Sequence, residues 1–208
     1  MRRHATIFTL IMAFFAVSCA SPKVLVAPRI DLARYGTLGM IEFSAKGPHG
    51  LAKTATSQFM AIVQGAQPGV PILELGDARR VLAAVGHDEI DPAAIQAIGE
   101  KYGVDAVLVG ELETHQPRPN FSVNSLVESV KAGADIEGVL SARMYQTRSG
   151  ATIWTNAARG KQSVANVSFT RGAIPKIGGK DPATAEARLV RSLVGTLAAD
   201  FQPRWERQ

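Results

Sequence analysis

The chain has 208 residues, 46% of them apolar and 20% charged, with a formal net charge of +5. That is enough apolar material for one domain around one core, and no low-complexity tract or Pro/Ser linker divides it. A single cysteine, Cys19, excludes an intramolecular disulfide, so stability has to come from packing.

The chain opens with Met1-Arg2-Arg3-His4, an apolar run from Ala5 to Val17, and then Ser18-Cys19-Ala20-Ser21. A basic head, a short apolar run and small residues at its end describe a secretory signal peptide, and the run is too short to span a bilayer as a helix. Ala16-Val17-Ser18-Cys19 resembles the lipobox of bacterial lipoproteins. That resemblance implies cleavage before Cys19 and acylation of its thiol; with Ala20 and Ser21 following in place of Asp, it also implies sorting to the outer membrane. Residues 1–18 are then the signal peptide, 19–36 a lipid-anchored tether and 37–208 the periplasmic domain. Several acyl chains on Cys19 would make the membrane the protein's first partner, since stable anchoring takes more than one chain.

Loss of residues 1–18 removes Arg2 and Arg3 and no acid, so the charge falls from +5 to +3. The remainder is uneven: 19–141 carries 10 Lys+Arg against 14 Asp+Glu, whereas 142–208 carries 11 against 4. The basic last third fits an acidic partner, lipid headgroups or simply a solvated surface. Nucleic acid is not expected, because basic and aromatic residues do not interleave as a stacking platform requires.

Leu38, Met40, Ile41 and Phe43 lie in a strand-like run over 37–43. Leu51, Ala55, Phe59, Ile62 and Val63 then share one helical face, ended by Gly65 and Pro68. Val70 to Leu75 reads as a strand, followed by a helix capped by Asp77 and using Val81, Leu82 and Val85. Asp91-Pro92 starts a helix carrying Ile95, Ile98 and Tyr102, and Gly103 ends it. Val104 to Val109 is nearly unbroken apolar sequence, the pattern of a strand covered on both faces. Ile136 to Tyr145 alternates, Arg148-Ser149-Gly150 is a turn, and Ala151 to Ala158 returns as the second strand of a β-hairpin joined to the sheet; Gly160 to Phe169 extends the meander. Asp181-Pro182 starts a last long helix with a stripe of Leu189, Val190, Leu193, Val194, Leu197 and Phe201. The fold class expected is α/β: one compact domain, a mixed sheet with helices packed on it, a C-terminal hairpin and a long terminal helix.

Chemistry-bearing residues are sparse. His49, His87 and His115 are scattered without metal-ligand spacing, and His87-Asp88-Glu89 with Asp91 reads as a solvated loop before a capped helix, so no metal or other cofactor is expected. Gly178-Gly179-Lys180 fails as a phosphate loop, because Ile174 stands where the first Gly belongs and Asp181 where Ser or Thr must hold magnesium. No Gly-x-Ser-x-Gly elbow exists. Glu111 and Glu113, on one face where the central strand emerges, are the sole carboxylate pair worth naming for glycoside cleavage, and polar residues at a strand end are the plainer reading. Trp154 reads as packing. Trp205 follows Pro203 in a basic tail, and Arg204, Trp205 and Arg207 are the candidate partner-binding residues, since Trp and Arg are enriched at interaction hot spots.

The order of elements, with Met40-Ile41-Glu42-Phe43, Gly103-Val104-Asp105-Ala106-Val107-Leu108-Val109-Gly110 and the hairpin turning at Thr147-Arg148-Ser149-Gly150, resembles one group over roughly 38–201. It is the periplasmic lipoproteins related to the curli-secretion protein (CsgG-like) and to the lipoprotein activators of penicillin-binding proteins. The resemblance implies an α/β domain at the envelope that works by binding other envelope proteins or by self-assembly, with no catalytic set. The expected function is therefore a non-enzymatic accessory or assembly factor for cell-wall synthesis or secretion. A curli-type export-channel subunit is the alternative, and a cell-wall hydrolase a remote one. A channel needs membrane hairpins of about 9–11 residues per strand with alternating apolar residues. The two places for them, 115–134 and 163–180, are read as alternating too poorly and as too short, which disfavours the pore.

Overall fold

The stretch from Asp91 to Thr114 frames the fold. A computed structural model describes residues 23–46, 51–115, 118–124, 129–170, 176–179 and 181–207. In chain order these form β1 (Lys23–Val26), a 3-10 turn (Leu32–Tyr35), β2 (Leu38–Ile41), β3 (Ser44–Lys46), α1 (Leu51–Ala66), β4 (Ile72–Gly76), α2 (Ala78–Val85), α3 (Pro92–Tyr102), β5 (Ala106–Thr114) and β6 (Arg118–Asn124). There follow β7 (Ser129–Gln146), β8 (Thr152–Thr170), β9 (Lys176–Gly179), α4 (Pro182–Ala198), a second 3-10 turn (Ala199–Phe201) and β10 (Arg204–Arg207).

Helix ends fall where the capping chemistry puts them. The Ala94 N–H donates to Asp91 Oδ1 at 2.7 Å with Pro92 in the first turn, and Gly103 closes α3 in the left-handed region at φ 67°. Asp77 and Asp181 cap α2 and α4 in the same way. Because the Asp91 carboxylate satisfies an otherwise orphaned donor, Asp91→Ala is expected to lower the unfolding free energy by about 1 kcal/mol, and Asp91→Asn by much less. Equilibrium urea denaturation of the three proteins measures this, and equal losses for Ala and Asn would refute the cap.

One sheet runs β4-β2-β5-β7-β8-β9, parallel from β4 to β5 and antiparallel from β5 onward. Its residues alternate between two apolar layers. Met40, Leu108, Leu140 and Met144 meet Phe59 and Val63 of α1 and Leu189, Leu193 and Leu197 of α4, whereas Ile41 and Val107 meet Val81 of α2 and Ile95 and Ile98 of α3. The α/β domain with mixed sheet, hairpin and terminal helix is thus the observed architecture. Gly110 lets the aromatic core close over β5, since a Cβ there would sit 2.6 Å from the Phe43 ring. Under α4, Gly138 and Gly160 are cross-strand partners, and a Cβ on either would lie 3.2 Å from Leu189. The paired glycines let the helix lie close on the hairpin.

Two features differ from the expectation. The tether expected over 19–36 is ordered structure from Lys23 on: β1 pairs with β10, and Ile30 and Leu32 are buried in the core. Short polar-apolar segments near a terminus give no local sign of a partner almost the whole chain away. The second difference concerns the hairpin, whose strands of 18 and 19 residues are far longer than the alternation over 136–158 suggests. At roughly 3.4 Å per residue such strands extend about 60 Å, whereas the 17-residue α4 covers about 25 Å. The hairpin therefore projects past its helix as an arm, flanked by β6 on one side and β9 on the other.

Candidate functional site

In the arm, register creates a pattern that no single strand reveals. Pro119, Ala134, Ala165 and Gly179 form one cross-strand row; Phe121, Ala132, Val167 and Ile177 the next; Val123, Val130 and Phe169 a third. The rows between are Asn120, Gly133, Asn166 and Gly178, then Ser122, Lys131, Ser168 and Lys176, then Asn124, Ser129 and Thr170. Apolar and polar rows thus alternate along the arm, the period of a strand pair. This corrects the reading of 115–134 and 163–180 as poorly alternating. In 115–134 the apolar rows fall on odd numbers in β6 and on even numbers in β7, and in 163–180 the β7–β8 register shifts between Ala134 and Asp135, which puts Val164 out of step with Ala165, Val167 and Phe169. The length argument fares differently: β6 has 7 residues and β9 has 4, both short of the 9–11 that a membrane strand takes.

The arm also leaves sheet edges open. On the side of β8 away from β7, β9 pairs only with Ala165–Ser168, and no described strand pairs there with Thr152–Gln162. Arg159 and Lys161 lie exposed along that edge.

Apart from the main sheet, β1 and β10 form a separate two-stranded ribbon. Lys23 faces Arg207, Val24 faces Glu206, Leu25 faces Trp205 and Val26 faces Arg204. The expected site residues Arg204, Trp205 and Arg207 are therefore on a paired strand, and Trp205 is 66% exposed. Arg204 Nε and Glu206 Oε1 form an ion pair at 2.6 Å. The ribbon is tied to the body by buried polar groups: Gln67 Oε1 accepts from Leu32 N–H at 2.8 Å, and its Nε2 donates to the carbonyls of Ile30 at 2.6 Å and Phe201 at 2.9 Å. Asp200 Oδ2 accepts from Trp154 Nε1 at 2.9 Å and from Asn156 Nδ2 at 3.2 Å. Trp154 is buried as a packing residue. Cys19 lies outside the described residues.

A cleft of about 290 Å³ opens on the α2 side of the sheet, lined among others by Glu42, Ser44, Glu111, Arg143 and Tyr145. Glu113 is not part of it. Glu111 pairs with Lys46 Nζ at 2.8 Å, and that hydrogen bond, together with the charges of Glu111 and Glu113, raises the lysine pKa above its ordinary value. Glu42, which sequence reasoning passed over, is thus the acid that shares a cleft with Glu111. Of the loop acids, Asp91 serves the α3 cap and stands 3.9 Å from His87 Nδ1. Among the described residues no three His, Cys, Asp or Glu are grouped to hold a metal ion. Gly178 and Gly179 belong to β9. No described helix is long and apolar enough to cross a membrane, which says nothing of strands.

No protein-family model matches the sequence, and no curated protein does. Among solved structures the chain is similar to the PelC dodecamer from Paraburkholderia phytofirmans at 11% identity and a TM-score of 0.45, covering 89% of this chain and 99% of that one. It is similar to a putative neuraminyllactose-binding hemagglutinin homolog from Helicobacter pylori at 12% identity and a TM-score of 0.46, with 86% and 87% covered. The C-terminal domain of LpoB from Salmonella enterica matches at 12% identity and a TM-score of 0.38, with 65% and 84% covered.

Proposed function

We propose that this chain is a lipoprotein of the CsgG-like kind, anchored through Cys19 in the outer membrane and facing the periplasm, that acts without catalysis as an accessory or assembly factor for cell-wall synthesis or secretion. The observation that carries the protein-binding part is the arm: three apolar cross-strand rows alternating with polar ones, beside an open β8 edge. A long open edge is a template for strand addition, and an apolar sheet face gains by being covered. Strand addition uses backbone donors and acceptors, so it works without any catalytic side chain. The address is supported by the basic head, apolar run and lipobox-like Ala16 to Cys19.

The alternating rows also favour a second reading, in which several copies pair their arms into a barrel and form an export channel. The short β6 and β9 favour the accessory role. Light scattering on the detergent-extracted mature protein and on a soluble Cys19→Ala form separates the two. A monomer or dimer in both forms is expected, with crosslinks in cells from positions 159 and 161 to an envelope protein. A closed ring of many subunits that needs detergent or membrane would replace the accessory role by the channel. Release of soluble fragments from cell-wall polymer, abolished by Glu42→Gln, would overturn both in favour of a hydrolase.

A further inference from the structure

We infer that the β1–β10 ribbon is a membrane-surface contact, with Leu25 and Trp205 seated among lipid headgroups and Lys23 and Arg207 against their phosphates. The inference rests on the reading of Cys19 as the lipid anchor. Four residue steps separate Cys19 from Lys23, a span of at most about 14 Å when fully extended. The headgroup layer is itself about 5–8 Å deep, so an acylated Cys19 keeps the ribbon at the bilayer surface throughout.

The ribbon's composition suits that place. Leu25 is 53% exposed and Trp205 66% exposed, and as direct cross-strand partners they share a face. The alternation of β-strands puts the Lys23–Arg207 pair on the same face. That face therefore presents an aliphatic side chain, an indole and two cations. The ribbon's one acid, Glu206, lies in the adjacent row on the opposite face and is ion-paired to Arg204. Indole rings favour the headgroup level, where an apolar body and a polar N–H are both satisfied, and cations gain from phosphate. A two-stranded ribbon is marginal by itself, and burying the Leu25–Trp205 pair in the interface supplies what the domain does not. Because Gln67 and Asp200 fasten the segments that lead into the ribbon, at Ile30, Phe201 and Arg29, seating it would hold the whole domain in one orientation on the membrane. A protein partner for the same face is the competing occupant.

The test uses the extracted lipoprotein reconstituted into vesicles of phosphatidylethanolamine and phosphatidylglycerol, after mass spectrometry of its N-terminal peptide. Trp205→Phe supplies the background of the buried Trp154. The expected result is Trp205 emission quenched by lipids brominated near the headgroup and shielded from aqueous iodide, with both effects gone in Trp205→Phe. Each ribbon cation near an anionic surface is worth about fivefold in equilibrium. Lys23→Gln/Arg207→Gln should therefore shift the ratio of seated to lifted ribbon about 25-fold toward the iodide-accessible state. An acylated protein whose Trp205 stays open to iodide and untouched by brominated lipid overturns the membrane contact alone, and a crosslink from position 205 to an envelope protein would then assign the ribbon to that protein. An unacylated N-terminus overturns the anchor and the membrane contact together.

Discussion

Phe201→Ala is expected to lower the unfolding free energy by about 3–5 kcal/mol, the range for removing a buried phenyl ring. The residue is fully buried, and its ring stands edge-on to two others, 5.5 Å from Phe59 at 83° and 4.9 Å from Trp154 at 72°. Phe59 continues the series to Phe43 at 5.6 Å. Such edge contacts add about 0.5–1.5 kcal/mol each beyond burial, so truncation removes transfer energy, two ring contacts and the packing around a cavity. The neighbours cannot readily close that cavity. Trp154 is held by its Nε1 hydrogen bond to Asp200, Phe59 lies on α1, and Phe201 sits in the 3-10 turn between α4 and β10. Domain stabilities of about 5–15 kcal/mol make the loss a large fraction of the total. Urea denaturation followed by circular dichroism measures it. A midpoint shift worth less than about 1 kcal/mol would mean that the site collapses and that the aromatic series is not a rigid unit.

Much of the fold was legible because its signals are local. Asp91-Pro92 and Gly103 mark the ends of α3 through chemistry within a few residues, and the apolar run over 104–109 became a strand between two helical layers. The alternation over 136–144 also matched burial, with Ile136, Leu140, Ala142 and Met144 in the core. The stripe from Leu189 to Phe201 buried every residue it named. The candidate functional features were far less legible. The arm's apolar rows exist only once four strands are aligned, and the change from odd to even positions between β6 and β7 and the register shift within β8 hide their common face. Trp205 and the basic tail stood out by composition, but that β10 pairs with β1 had no signature, because strand pairing across nearly the whole chain is decided by what the core brings together. Glu42 lay inside an apolar run, just past the register shift at Met40/Ile41, and nothing local marks it as sharing a cleft with Glu111.

Gln67 is the other residue that sequence reading passed over, and its replacement by Glu gives the most discriminating stability prediction. The side chain is buried at the end of α1 and makes three hydrogen bonds, accepting from Leu32 N–H and donating to the carbonyls of Ile30 and Phe201. Glutamate has nearly the same shape and keeps the acceptor, yet when ionised it turns an oxygen toward two carbonyl oxygens. Leaving a buried polar group unmatched costs about 1–3 kcal/mol. With two such groups and a buried charge against them, Gln67→Glu is expected to cost about 3 kcal/mol or more at neutral pH. The sign with pH follows from linkage. Burial and the facing carbonyls disfavour the charged form, so the folded-state pKa of the introduced carboxyl lies above its unfolded value. The unfolded state then releases its proton first, and the penalty grows as pH rises from the unfolded value of about 4.3 through the folded one. Below that window the protonated acid restores one donor, so the stability gap to the natural protein should narrow on acidification. Urea denaturation of both proteins between mildly acid and neutral pH reads this directly. A gap independent of pH would mean that the carboxylate reaches water and that the segments at Ile30 and Phe201 are not clamped through this side chain. If the gap does narrow, the same variant should also loosen β1 from β10 at neutral pH, seen as faster amide exchange at Leu32 and along the ribbon than in the rest of the domain.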